Sequence, residues 1–363
     1  MAGKRAAGIL PAQMIAELIA AEKIRVLRDP DADQIQPASL DLRLGPRALR
    51  VRASFLPGPN ATVAERLESL TLHEVDLASG AVLETGCVYI VPLMESLALP
   101  KDVAAAANPK SSTGRLDIFT RVITDRAREF DSVPAGYHGP LYLEVSPRTF
   151  PIIARAGSRL SQIRFRRGAA RLDDKALLAL HRETPLVDGP PHVASGLVLS
   201  IDLTGTNGTV GYRAKRHTGL IDVDKRDAHD VLDFWEPMTR HGRPELVLDP
   251  DQFYILVSCE AVHVPPDYAA EMVPFDPLVG EFRVHYAGFF DPGFGHSGAG
   301  GSGSRAVLEV RSHEVPFILE HGQIVGRLVY ERLTARPAKL YGEELGSNYQ
   351  AQGLKLSKHF RAV

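Results

Sequence analysis

LYLEVSPRTFPIIARAGSRLSQIRF (residues 141–165) strings short β-type runs between Pro, Gly and Arg. AVLEVRSHEVPFILEHGQIVGRLVY (residues 306–330) repeats its skeleton 165 positions later. Leu143-Glu144-Val145 falls on Leu308-Glu309-Val310, Pro151 on Pro316 and Gly157 on Gly322. Held at that offset, the match runs back without a gap to residues 83 and 248. It pairs Tyr89 with Tyr254, Ile90 with Ile255, Glu95 with Glu260, Pro100 with Pro265, Asp102 with Asp267, Ala104 with Ala269 and Pro109 with Pro274. Chance supplies isolated pairs but not an ungapped run, and a fixed period means one structural unit written twice. Upstream, Ser39-Leu40-Asp41-Leu42 resembles Ser200-Ile201-Asp202-Leu203 at a slightly different offset.

Within this frame LDLRLG (40–45), CVYIVPL (87–93), LYLEV (141–145) and SQIRF (161–165) are strand-length runs punctuated by Gly, Pro, Asp and Asn. Such spacing predicts a mainly β chain, a sandwich or barrel rather than a doubly wound sheet. Helices are few. PAQMIAELIAAEKI (11–24) has Pro at a first helical turn and apolar Met14, Ile15, Leu18 and Ile19 on one face. The connection 166–191 predicts a second helix around Asp173 to His181, followed by a Pro-rich exit. The expected units are a first repeat over 1–170, a linker over 171–191, a second repeat over 192–335 and a tail over 336–363.

A chain of 363 residues is long enough for each half to bury its own core. With 42 Lys+Arg against 44 Asp+Glu the net charge is −2, so no global field recruits polymeric nucleic acid or an acidic membrane. Any anion must be held locally. Cys87 and Cys259 are far apart, which excludes a CxxC zinc site and argues against a disulfide framework; both read as buried thiols in a reducing compartment. The N-terminal stretch has Glu17 and Glu22 within its apolar pattern, and no uncharged span is long enough to cross a bilayer, so a cytoplasmic protein is expected.

NPKSSTGRLDIF (108–119) places Lys110 and Arg115 around the hydroxyls of Ser111 and Ser112. Alone it reads as an ordinary helix start, or as an anion site made by a helix N-terminus with two cations. Its company decides. PASLDLRLG (37–45), PKSSTGRL (109–116), GYHGPLYLEV (136–145), AGSRLSQIRF (156–165) and YGEELGSNYQAQG (341–353) resemble, in order, the motifs of the dCTP deaminases of the trimeric dUTPase-like superfamily. The chain looks like a double-length, tandem form. The resemblance implies distorted β-barrel or jelly-roll units with nucleotide bound between neighbouring units. It also implies metal-independent deamination of dCTP to dUTP and ammonia, in which a glutamate activates water for attack on cytosine C4 and a Ser and Arg of the SSxxR motif position that chemistry. The His/Cys–Glu–Cys–Cys constellation of zinc deaminases is missing from the sequence, so no protein-bound zinc is expected. Mg²⁺ is expected only with the substrate triphosphate.

The repeats diverge where the motifs lie. Against Lys110-Ser111-Ser112-Thr113-Gly114-Arg115 the second copy has Phe275-Asp276-Pro277-Leu278-Val279-Gly280, without the hydroxyls or the cations. Conversely VHYAGFFDPGFG (284–295) is similar to the family's pyrimidine-binding hairpin, whereas ITDRAREFDSVPAGYHG (123–139) departs from it. Complementary losses point to one site shared by repeat 1 and repeat 2. By resemblance, Glu309, Ser111 and Arg115 carry the catalysis, with Glu144 as the matching carboxylate of repeat 1 and a structural remnant. Lys110, Ser112, Thr113 and Gly114 bind phosphates. Ala287, Gly288 and Asp291 belong to the base-binding hairpin, Val307 also binds substrate, and Tyr341 and Gln352 belong to a tail that folds over nucleotide. Asn348 replaces a Lys common in the family. The partners implied are dCTP and dUTP, with a homo-oligomer that sets sites at domain interfaces. Two alternatives stay open: diphosphate hydrolysis of dUTP, alone or in sequence with deamination, since Asp291 also resembles the water-activating aspartate of dUTPases, and a non-catalytic nucleotide sensor. GHSGAGGSGS (295–304) reads as a flexible hairpin tip, His285 as a packed side chain, and the basic run 211–227 as a solvated face or a phosphate entrance.

Overall fold

Antiparallel pairing builds almost everything in the computed structural model, which describes residues 6–205, 208–239, 242–274, 282–284, 288–299, 301–312, 315–342 and 352–361. In the first half one sheet runs Ser132–Val133, Val103–Pro109, Arg159–Arg167, Ser39–Arg43, Ile35–Gln36. The other runs Ile118–Thr124, His138–Pro147, Val88–Ala98, Arg47–Val51, Thr71–Asp76. The second half repeats the order of the second sheet and the middle three strands of the first, with a different edge strand. One of its sheets runs Phe289–Phe290, Tyr268–Pro274, Ile324–Arg332, Leu197–Ser200, and the other Phe282–Val284, Ser304–Ser312, Phe253–Val262, Thr209–Ala214, Trp235–Thr239.

The repeated residues turn out to be those the fold needs twice. Tyr89 accepts a hydrogen bond from Glu84 N at 3.1 Å through its hydroxyl, and Tyr254 accepts one from Asp249 N at 2.9 Å, so each reaches back to the same position of an equivalent turn. Glu95 accepts from Arg43 N at 2.8 Å and Glu260 from Ser200 N at 2.9 Å, one at the end of the strand that carries the first SxDL motif and the other at the strand that leads into the second. Gly157 and Gly322 both sit at positive φ, 91° and 80°, where a side chain would be strained. Pro109 and Pro274 each end a strand, the position at which a missing N–H costs least.

The predicted helices form at Ala12–Ala20, after Pro11, and at Asp174–Glu183, where the Asp173 side chain accepts from Ala176 N at 2.8 Å. The expectation of a separate core for each half needs correction. A second core is confined to residues of the linker and second half, but the main one takes Ile221, Trp235, Phe253, Ile255 and Val307 into the first half's interior. Trp235 meets Phe150 at 5.5 Å between ring centroids. Ile221–Asp222 adds a parallel strand beside Ile152–Ala154, and Arg155 grips Asp222 through both carboxylate oxygens at 2.7 and 2.9 Å. Cys87 and Cys259 are free thiols, but partly exposed rather than buried as the sequence suggested.

Candidate active site

Strand Val103–Pro109 breaks at its proline, Lys110 stays extended, and one helical turn, Ser111–Gly114, delivers Arg115 inward. Thr113 N and Gly114 N donate to Lys110 O at 2.8 and 3.0 Å, which fixes the turn. Lys110, Ser111, Ser112, Gly114 and Arg115 line a cavity of about 260 Å³. Thr113, grouped with them in the sequence, is buried and does not line it.

The opposite wall belongs to the second half of the same chain. Gly288, Asp291, Val307 and Glu309 line it together with Tyr341 and Gln352. A Cβ on Gly288 would meet only a Phe290 ring carbon at 3.8 Å, so a side chain there would occupy cavity. Ala287, placed in the same hairpin by the sequence, lies outside the described residues, as do His285 and Asn348. Phe290 and Phe294 pack edge to face at 5.0 Å, Phe294 meets Tyr341 at 5.7 Å, and all three border the cavity. An aromatic and aliphatic wall facing a cationic turn suits a ligand with a planar ring at one end and anionic groups at the other.

Glu309 stands between them on strand Ser304–Ser312, 4 % exposed. Its Oε1 is 3.9 Å from Arg115 Nε. Burial pushes its carboxyl up to about 7, with the Arg115 guanidinium holding it back. Arg115 is fixed from the tail: it donates to Lys355 O at 2.9 Å and to Gln352 Oε1 at 3.1 Å, and Gln352 donates in turn to Arg305 O at 3.1 Å. Asp291 is buried deeply enough to raise its carboxyl pKa, against the pull of Arg164 at 3.0 Å. Arg164 also donates to Ala270 O at 3.0 Å and lies 4.1 Å from the Phe289 ring centroid. A first-half side chain thus pins the second-half hairpin.

Glu144 has a different setting. It does not line the cavity. Arg121, directly opposite on the neighbouring strand, donates to its Oε1 at 2.6 Å, and the Arg121 guanidinium is itself held 3.5 Å from the Phe130 ring centroid.

Sequence reasoning passed over several lining residues. Arg159 and Asp41 lie inside quoted motifs, and Arg226 inside the basic run, but Lys358 carries no motif. Asp41 pairs with Lys110, and Arg159 forms two hydrogen bonds of 2.9 Å with Asp33. Among the described residues one further cluster, Asp202, Cys259 and His321, has the mutual spacing of metal ligands. None of the three lines the cavity, and the Asp202 carboxylate already pairs with Arg305 and accepts from Thr204 N at 2.8 Å.

Comparison with known proteins agrees over both halves. Residues 6–169 match the 2'-deoxycytidine 5'-triphosphate deaminase N-terminal domain and residues 173–360 the C-terminal domain. The chain is 35% identical over 147 residues to the dCTP deaminase of Haloarcula marismortui, covering 39% of this chain and 70% of the relative. It is 32% identical over 143 residues to a dCTP deaminase of Beutenbergia cavernae described as dUMP-forming, covering 39% and 71%. The crystal structure of 2'-deoxycytidine 5'-triphosphate deaminase from Agrobacterium tumefaciens superposes with a TM-score of 0.88 at 70% identity, covering 91% of this chain and all of that one. No helix among the described residues is long and apolar enough to cross a membrane. With both halves matched by their respective domain patterns, this double-length chain belongs to the dCTP deaminase family.

Proposed function

We propose that the chain hydrolyses the exocyclic amine of dCTP, giving dUTP and ammonia, at a single cavity formed by its two halves. The observation that carries the reading is the juxtaposition of Glu309, from the second half, with Arg115, from the first, across 3.9 Å in a buried setting. A carboxyl near 7 is divided between its two forms at neutral pH. As a base it takes a proton from water, whose oxygen bonds to C4. As an acid it passes that proton to N3; it then carries the proton of the new C4 hydroxyl to the amine, and the C4–N bond breaks to release ammonia and leave a carbonyl at C4. Arg115 and Ser111 hold the carboxylate and water. The triphosphate lies toward Lys110, Ser112 and Gly114, the base and sugar against Val307, Gly288 and the hairpin.

Asp291 fits a holding role better than water activation, because Arg164 already engages its carboxylate. Mg²⁺ enters with the substrate, on phosphate oxygens. The carboxylates near the phosphate end suit that division, since Asp41, Asp33 and Asp224 are paired with Lys110, Arg159 and Arg155. A cavity lined from both halves of one chain needs no second chain, so homo-oligomerisation is a separate proposal for sedimentation to decide. Free thiols and a nucleotide substrate suit the cytoplasm as its compartment.

The test is incubation with dCTP and Mg²⁺, with nucleotides resolved by anion exchange and ammonia assayed. Equimolar dUTP and ammonia is the expected result. Formation of dUMP would add a diphosphatase step, and no turnover would leave a nucleotide-binding protein without this chemistry.

A further inference from the structure

The final residues of the chain place a cation at the phosphate end of the cavity. Lys358 lines that cavity with Lys110, Arg159 and Arg226. The residues on either side of it are fixed. Ser357 Oγ donates to Ser112 O at 2.8 Å, within the SSxxR turn itself, and the buried His359 ring reaches Val223 O at 2.9 Å. Asp227 N donates to Lys358 O at 3.0 Å, and Ala228 N to His359 O at 3.0 Å. Phe360 is 4 % exposed and packs edge to face on Phe234 at 5.5 Å and Trp235 at 6.0 Å. The lysine therefore sits on a segment clamped to both halves, next to the turn that the functional reading assigns to phosphate.

We propose that Lys358 binds the triphosphate of the substrate. The inference rests on the functional reading above and adds a residue to it. Its physical basis is crowding. Burial and the nearby charges of Lys110 and Arg226 push the Lys358 amine down to about 8, against the opposite pull of the Asp41 carboxylate. A polyanion among these cations removes their mutual repulsion and restores the full charge on Lys358. A charge-assisted contact of this kind changes affinity by roughly ten- to a hundredfold.

The experiment compares wild type, Lys358→Gln and Lys358→Arg in steady-state turnover of dCTP, and in the thermal shift produced by inorganic tripolyphosphate. Lys358→Gln is expected to raise KM about tenfold or more with kcat within about threefold, to keep the ligand-free melting temperature, and to lose most of the tripolyphosphate shift; Lys358→Arg restores both readouts. An unchanged KM and thermal shift in Lys358→Gln, or an Arg variant no better than the Gln variant, overturns the proposal. If wild type does not turn over dCTP the functional reading fails, yet the tripolyphosphate arm still decides whether Lys358 holds phosphates.

Discussion

Two glutamates occupy equivalent positions in the repeats, and only their neighbours tell them apart. Glu144 faces Arg121 across a strand pair within its own sheet, 2.6 Å away, while Glu309 faces Arg115 from the other half at 3.9 Å and borders a cavity. The first arrangement keeps a carboxylate paired. The second leaves Glu309 able to exchange a proton. Because burial holds it near 7, kcat/KM for dCTP is predicted to fall roughly tenfold per pH unit below about 7, where Glu309 is protonated, and to level off above it. Replacing Arg115 by Gln removes the cation that favours the charged form, so the acid limb of the weakened activity moves to higher pH. A limb in the ordinary carboxylate range would show that another group governs the reaction.

The hairpin at Phe289–Asp291 is an element of the second half whose fixation comes from the first. Arg164 is 2 % exposed and supports it through Asp291, Ala270 O and the Phe289 ring. Arg164→Gln is predicted to leave the Asp291 carboxylate without its cation, to raise KM for dCTP at least about tenfold, and to lower the melting temperature, since breaking a buried pair from one side is strongly destabilising. Steady-state kinetics and a melt check this together, and wild-type KM in a folded Arg164→Gln variant would show that the hairpin holds its place by other means. This dependence was not legible in the sequence. AGSRLSQIRF announced a strand and a motif, but not that Arg164 crosses into the other half. The same limit hid Lys358, which lies in no motif and reaches the cavity only because Phe360 and His359 dock elsewhere. By contrast Tyr89 and Tyr254, and Gly157 and Gly322, were legible as pairs, because each serves a local turn set by near neighbours in the chain, and Glu95 and Glu260 because each holds a strand within its own half.

At the scale of the molecule, the proposed site takes different parts from two halves of similar sheet order. The sequence displayed the difference directly, with Phe275-Asp276-Pro277 against Lys110-Ser111-Ser112. It left open whether those parts meet within a chain or between chains, because that depends on how the halves pack. Their shared core, with Trp235 against Phe150 and Ile221 beside Ile152, brings the SSxxR turn and Glu309 to one cavity in a single chain. The central claim is therefore that chemistry belongs to Glu309 and that its twin is structural. Ammonia release from dCTP by wild type, Glu309→Gln and Glu144→Gln, each first checked for a cooperative melt, tests it most directly. Loss of about a hundredfold or more in Glu309→Gln, with kcat retained within about twofold in a less stable Glu144→Gln, is predicted. A folded Glu144→Gln variant that cannot release ammonia, beside an active Glu309→Gln, would contradict it.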